Sequence, residues 1–161
     1  MSGIERTLVL LKPDAVQRAV VGEILSRFER VGLTIVGMKL VHINAEFSRK
    51  HYSDLVDKPF YKGLETMITE GPVVALVLEG IESVALVRKM VGATEPKGSA
   101  PGTIRGDYAH VSYGYADAKG IAMKNLIHAS GNVADAAKEV PLWFAPAELH
   151  SYKTAHHKHV Q

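Results

Sequence analysis

The residues of this chain best suited to chemistry are His128, Glu139 and a scatter of cations and hydroxyls, Lys12, Arg88, Thr94 and Arg105. His128 lies in Asn125-Leu126-Ile127-His128-Ala129-Ser130, an apolar run that breaks into a loop, and Asn132 just beyond is a helix N-cap residue. An imidazole where a strand edge meets a helix N-terminus sits in a place that attracts anions, through unpaired N–H groups and the helix dipole. A histidine so placed could take a phosphoryl group and hand it on, although a lone His beside an apolar strand is more often a packed or solvated residue.

Glu139 falls on the helix that Asn132 opens. If Val133, Ala136, Ala137 and Val140 form its buried stripe, Glu139 sits roughly 110° from the centre of that stripe. From that flank a carboxylate can hold one ring nitrogen of a neighbouring imidazole and leave the other free to attack. No Walker loop and no Gly-x-Gly-x-x-Gly follows a strand, so side chains must hold any phosphate. Lys12 at a strand end, Arg88 late in a helix, Thr94 in a long loop and Arg105 opening a strand are the candidates. His42, His51 and His110 read as structural, and His156, His157 and His159 as a frayed terminus.

The elements that must position these groups follow from apolar period and punctuation. Residues 7–11 read as a strand buried on both faces, ended by Lys12-Pro13-Asp14, and a helical pattern then runs to Gly32 with a break near Arg18-Ala19-Val20. Residues 33–44 alternate as a strand, 47–56 and 61–69 read as short helices, 73–78 as a third strand and 83–91 as a helix closed by Gly92. The segment 93–102 is a loop long enough to bind something, 104–109 restarts a strand, and 113–119 has turn and surface composition. Leu142-Trp143-Phe144 packs the end of the domain. This order predicts an α+β fold, a ferredoxin-like sandwich with an antiparallel sheet and helices on one face.

Composition sets the class. At 161 residues with 47% hydrophobic and 22% charged residues, the chain is one globular domain with a core of its own. Cysteine is absent, which removes disulfides and thiolate chemistry. A net charge of +2 is too small for a nucleic-acid footprint, and no apolar run is long enough to span a bilayer. The N-terminus lacks a signal-peptide core, and the expected setting is cytoplasmic.

With those residues in hand, the chain resembles the nucleoside diphosphate kinase family along nearly its full length. The carrying blocks are Lys12-Pro13-Asp14, Val21-Gly22-Glu23-Ile24, His51-Tyr52 with Lys58-Pro59-Phe60, Gly71-Pro72-Val73, Pro101-Gly102-Thr103-Ile104-Arg105-Gly106-Asp107, Asn125 to Ser130, and Leu142-Trp143-Phe144. The resemblance implies transfer of the γ-phosphoryl from a nucleoside triphosphate to a nucleoside diphosphate through a phosphohistidine at His128. It implies that Glu139 orients the ring with Ser130 as the neighbouring hydroxyl. Tyr52, Arg88, Thr94 and Arg105 become phosphate contacts, Phe60 the aromatic under the base, and Lys12 and Asn125 the pair near ribose and phosphates. It also implies Mg2+ carried on nucleotide phosphates without protein ligands, and a homo-oligomer, a hexamer before a tetramer, with no membrane or nucleic acid needed.

Physics fits that assignment. A neutral imidazole, with an unperturbed pKa of about 6.5, needs no proton removed before it attacks, and cations neutralise charge spread over the phosphoryl oxygens. The chain departs from the family pattern at Ala129, where glycine is usual, and at Gly131, where an acidic residue is common. An insert at about 110–122 lengthens the path from Asp107 to Asn125, and a tail at about 153–161 is expected to be flexible. The alternative reading is a ferredoxin-like module that binds nucleotide or nucleic acid without turnover.

Overall fold

The computed structural model of the chain describes residues 3–160. Met1 and Ser2 of the N-terminal reading, and Gln161 of the expected tail, lie outside the described residues.

Strand β1 (Ile4–Leu11) is the axis of the molecule. It pairs antiparallel with β3 (Val73–Ile81) on one side and with β4 (Ile127–Ala129) on the other, and β2 (Thr34–Val41) pairs antiparallel with β3. The order β2-β3-β1-β4 is the ferredoxin-like sheet that the element order predicts. A register shift between Ile35 and Gly37 bulges β2, and a Cβ at Gly37 would lie 2.8 Å from Leu149. Any larger residue there would push the Leu149 and Phe144 side chains aside.

Helices cover both faces of the sheet, where the sequence pattern suggests one. The cause is that residues 8–11 of β1 and 73–78 of β3 are apolar at every position, so neither face can meet water. Val9, Leu11, Val74, Leu76 and Leu78 pack with Ile24 and Phe28 of α2 (Val21–Arg30) and with Val87 and Val91 of α5 (Ser83–Val91). Leu8, Leu10, Val73, Ala75 and Val77 pack with Ile68 of α4 (Tyr61–Thr69) and with Val140 and Trp143 of α8 (Val133–Trp143).

Proline at N1 starts α1 (Pro13–Gln17) directly after Lys12, and the expected break follows at Ala19, whose φ is 57°. The helix α3 (Ala45–His51) is capped by Asn44, whose side chain accepts from Phe47 N.

Two segments differ from their sequence reading. Residues expected to restart a strand form α6 (Ile104–Tyr108) instead, because the Thr103 hydroxyl accepts from Gly106 N at 3.0 Å and caps a turn. Arg105 therefore projects from a helix. The insert contains α7 (Tyr113–Lys119), capped by Ser112 and closed by Gly120 at φ 60°. Its apolar pattern is too sparse to announce a helix, since Ala116 is its one buried residue. At the C-terminus α9 (His157–Val160) forms a single turn.

Candidate active site

His128 pairs with Leu10 across the ladder, flanked by Ile127 and Ala129. Those two neighbours pack on the α2 and α5 side. Alternation therefore sends His128 to the other face, against α8. The buried stripe of α8 is Ala136, Val140 and Trp143, whereas Val133 is 57% exposed and Ala137 is exposed. The stripe expected from spacing is thus rotated, which brings Glu139 to roughly 70° from its centre. The wheel was set by Trp143, a bulkier anchor than Val133.

There both Glu139 oxygens lie 3.2 Å from His128 Nε2. Ser130, fully buried, donates its hydroxyl to Glu139 Oε2 at 2.6 Å while accepting from Leu8 N at 3.2 Å. Burial alone pushes the Glu139 carboxyl up, but the bonds from His128 and Ser130 outweigh it and hold the group below its ordinary value. The carboxylate is ionised and aimed at one ring nitrogen.

Two aromatic neighbours come from the end of α3. His51 stands edge-on to His128 with centroids 4.7 Å apart, and the Tyr52 ring lies 6.1 Å from the His128 ring. Trp143 Nε1 donates to His51 Nδ1 at 3.0 Å, so His51 carries its proton on Nε2. Burial, reinforced by His128, depresses His51 to a pKa of about 3. Burial and the Glu139 charge push the Tyr52 phenol up. His51, read from sequence as structural, belongs to this site; its signal was the His51-Tyr52 pair.

A second group of polar residues abuts the first. Lys12 Nζ donates to Asn125 Oδ1, and Asn125 Nδ2 donates to the Thr94 carbonyl at 2.8 Å. Burial lowers Lys12 to a pKa of about 8, opposed by Asp14 and assisted by Arg105. Arg105 donates to four backbone carbonyls, those of Asn125, Gly92, Ala93 and Ile127 at 2.6–3.3 Å. These bonds use four of its five N–H groups and leave one for a ligand. Burial, with the nearby Arg88 cation, lowers Arg105 to about 10.

Arg88 is half-buried in the last turn of α5, and Thr94 is exposed. Phe60, 59% exposed, stands at the start of α4 apart from both groups. The insert packs on the same helix, since a Cβ at Gly63, one turn on from Phe60, would lie 3.7 Å from Ala122 Cβ. Among the described residues one set, His51, His128 and Glu139, brings possible metal-ligand atoms within 4.8 Å of one another. Two imidazoles and a carboxylate suit zinc or copper better than magnesium. No helix among the described residues is long and apolar enough to cross a membrane.

The family model for nucleoside diphosphate kinase matches residues 5–149. The chain belongs to the nucleoside diphosphate kinase family. A nucleoside diphosphate kinase of Pyrococcus horikoshii is 52% identical over 156 residues, covering 96% of this chain and 94% of that protein. One from Pyrococcus furiosus is 51% identical over 152 residues, covering 94% and 90%.

Among solved structures, the transition state mimic of the Borrelia burgdorferi nucleoside-diphosphate kinase, with vanadate and ADP bound, superposes with a TM-score of 0.94. It is 42% identical and covers 98% of this chain and 96% of its own. The Halobacterium salinarum enzyme in complex with CDP gives a TM-score of 0.84 at 41% identity, covering 94% and 95%. Against the family pattern, the space over Gly131 is taken by Asp135, whose Oδ2 would lie 2.8 Å from a Cβ there.

Proposed function

We propose that this nucleoside diphosphate kinase family member moves the γ-phosphoryl of a nucleoside triphosphate to a nucleoside diphosphate by way of His128 Nδ1. The observation that carries the reading is the engagement of His128 Nε2 by both Glu139 oxygens, which leaves Nδ1 as the uncommitted nitrogen. In this tautomer Nε2–H donates to Glu139 and the Nδ1 lone pair attacks phosphorus. The Nδ1–P bond forms as the bond from phosphorus to the β-phosphate oxygen breaks, and the diphosphate leaves with that electron pair. Glu139 stabilises the positive imidazole ring that results. A second diphosphate then attacks the same phosphorus from its terminal oxygen, and His128 returns to its starting state.

Lys12, Arg88 and Arg105 supply the positive charge for the phosphoryl oxygens, with Tyr52 and Thr94 as hydroxyl contacts and Asn125 steering Lys12. Catalysis is then chiefly positioning and electrostatics. Phe60 offers a π-face that every base shares. That relatives hold ADP and CDP supports such loose base choice. Mg2+ would be held through the nucleotide's own phosphates and would supply charge neutralisation there; the cationic groups around Lys12 and Arg105 offer it no carboxylate cage.

A homo-oligomer, hexameric before tetrameric, suits the exposed edge strand β2, which presents Met38 at 58% and Leu40 at 62% exposure. The cytoplasm, with its pool of triphosphates, is the compartment consistent with these substrates.

The test is incubation with γ-labelled ATP and magnesium, for wild type and His128→Ala. An acid-labile, alkali-stable label is expected on the wild type, discharged by any nucleoside diphosphate. Label on the variant would move the phosphoryl carrier off His128, and none on the wild type would leave a binding module without turnover as the better description.

A further inference from the structure

Asn125 and His128 are three residues apart, and a regular strand would place them on opposite faces of the sheet. Lys12, extended at φ −72° and ψ 167°, continues the alternation of β1 and so falls on the face of Leu10 and its partner His128. Yet Asn125 reaches Lys12 Nζ. Something between Asn125 and His128 has reset the alternation.

That feature is Leu126. Its φ is 71°, in the left-handed region that a bulky side chain rarely enters. Ile127 N donates to Asn125 O across it at 2.8 Å, so the three residues form a γ-turn of the strained, positive-φ kind. Leu126 is fully buried, and the turn is gripped on all sides. Its N–H donates to Asp14 Oδ2 at 3.0 Å, and its carbonyl accepts from Lys12 N at 2.8 Å. Arg105 holds the carbonyls of Asn125 and Ile127 on either side.

Asp14 is the unusual member. It is 5% exposed, its other oxygen Oδ1 has no partner among the described residues, and the bond to Leu126 is separated by 112 positions in the chain. A carboxylate buried with half its lone pairs unused is costly, and its one grip is on the strained peptide.

We propose that the γ-turn at Leu126 is what puts Asn125 and His128 on one side of the sheet, and that Asp14 is the positioning residue that keeps it closed. Asp14 touches no reacting atom. It acts through the backbone, and the oxygen that accepts from Leu126 N matters more than the charge. This rests on the reading of His128 as the phosphate carrier.

The experiment compares wild type, Asp14→Ala and Asp14→Asn at pH 6.5, following the single-turnover rate at which ATP labels His128. Hydrogen–deuterium exchange of the Leu126 amide is measured in the wild type. Asp14→Ala is expected to slow labelling about 30- to 100-fold, the scale of a sub-ångström misplacement, with KM for ATP changed less than about threefold. Asp14→Asn keeps an acceptor oxygen in place and is expected to retain at least about a third of the wild-type rate. The Leu126 amide is expected to exchange as slowly as the β1 core.

A wild-type rate in Asp14→Ala, an Asp14→Asn variant as slow as Asp14→Ala, or a rapidly exchanging Leu126 amide would each overturn the proposal. Should Asp14→Ala fail to fold, the amide exchange and the Asp14→Asn rate still decide. Absence of label on wild-type His128 would instead remove the parent reading, leaving the exchange measurement to judge the turn.

Discussion

Nε2 of His128 faces both oxygens of Glu139 at 3.2 Å, while Ser130 holds one of those oxygens in place at 2.6 Å. The carboxylate thus has its orientation set from one side and sets that of the ring on the other. Glu139→Gln keeps the shape and removes the charge that stabilises a positive ring. Expected is a fall in kcat of roughly 10- to 100-fold, equal to about 1.4–2.7 kcal/mol of transition-state stabilisation, with KM little changed. Because the Glu139 pKa is depressed in the fold, its contribution to stability is present above the ordinary glutamate range and is lost as pH falls below it. Steady-state kinetics with acid melts of both proteins checks both statements.

Lys12 gives the alkaline limb. With a pKa of about 8 in the free enzyme, kcat/KM is expected to fall with a single-proton slope as pH rises through that value. Below it Lys12 is a buried cation at 5% exposure, so its charge costs stability. Between about 8 and its ordinary value of 10.5 the unfolded chain binds the extra proton, and stability from this group rises with pH. Lys12→Met is therefore expected to lose activity by about 100-fold or more, yet gain about 1–3 kcal/mol at pH 7. Urea unfolding at pH 7 and pH 10 tests the sign, since the gain should shrink at the higher pH.

His51 is held neutral by burial, and Trp143 donates to its Nδ1. His51→Phe leaves the Trp143 N–H unpaired, at a cost of about 1–3 kcal/mol, or a melting point lower by about 3–10 °C. The depressed pKa of about 3 also makes the wild type lose stability as pH falls from the ordinary histidine range, and the variant should lose less. The pH profile of kcat/KM above pH 5 should keep its limbs. A limb displaced by more than about half a unit would show that His51 titrates during catalysis.

Phe60 presents 59% of its surface to solvent at the head of α4. Phe60→Ala is expected to raise KM about 5- to 50-fold, by similar factors for purine and pyrimidine nucleotides, with folding stability unchanged within about 0.5 kcal/mol. A loss confined to one base class would mean that hydrogen bonds, not stacking, read the base.

Short-range pattern in the chain carries part of this result. Apolar runs at 7–11 and 73–78 are long enough to be recognised as buried strands, Pro13 and Gly32 mark helix limits, and the collinear blocks from Lys12 to Trp143 identify the family. The misread segments are those where the local signal is weak: α6 and α7 are each closed by one hydroxyl cap and carry almost no apolar stripe. The remainder came from contacts between distant segments. Trp143 set the rotation of α8 and carried Glu139 to the imidazole; Arg105 became a clamp on four carbonyls from two distant segments. Lys12 and Asn125 meet across 113 positions, and Leu126 adopts its strained φ because Asp14 and Lys12 hold it there. Such contacts are energies between residues that no periodicity relates, and they exist once the sheet has brought the chain's two ends together.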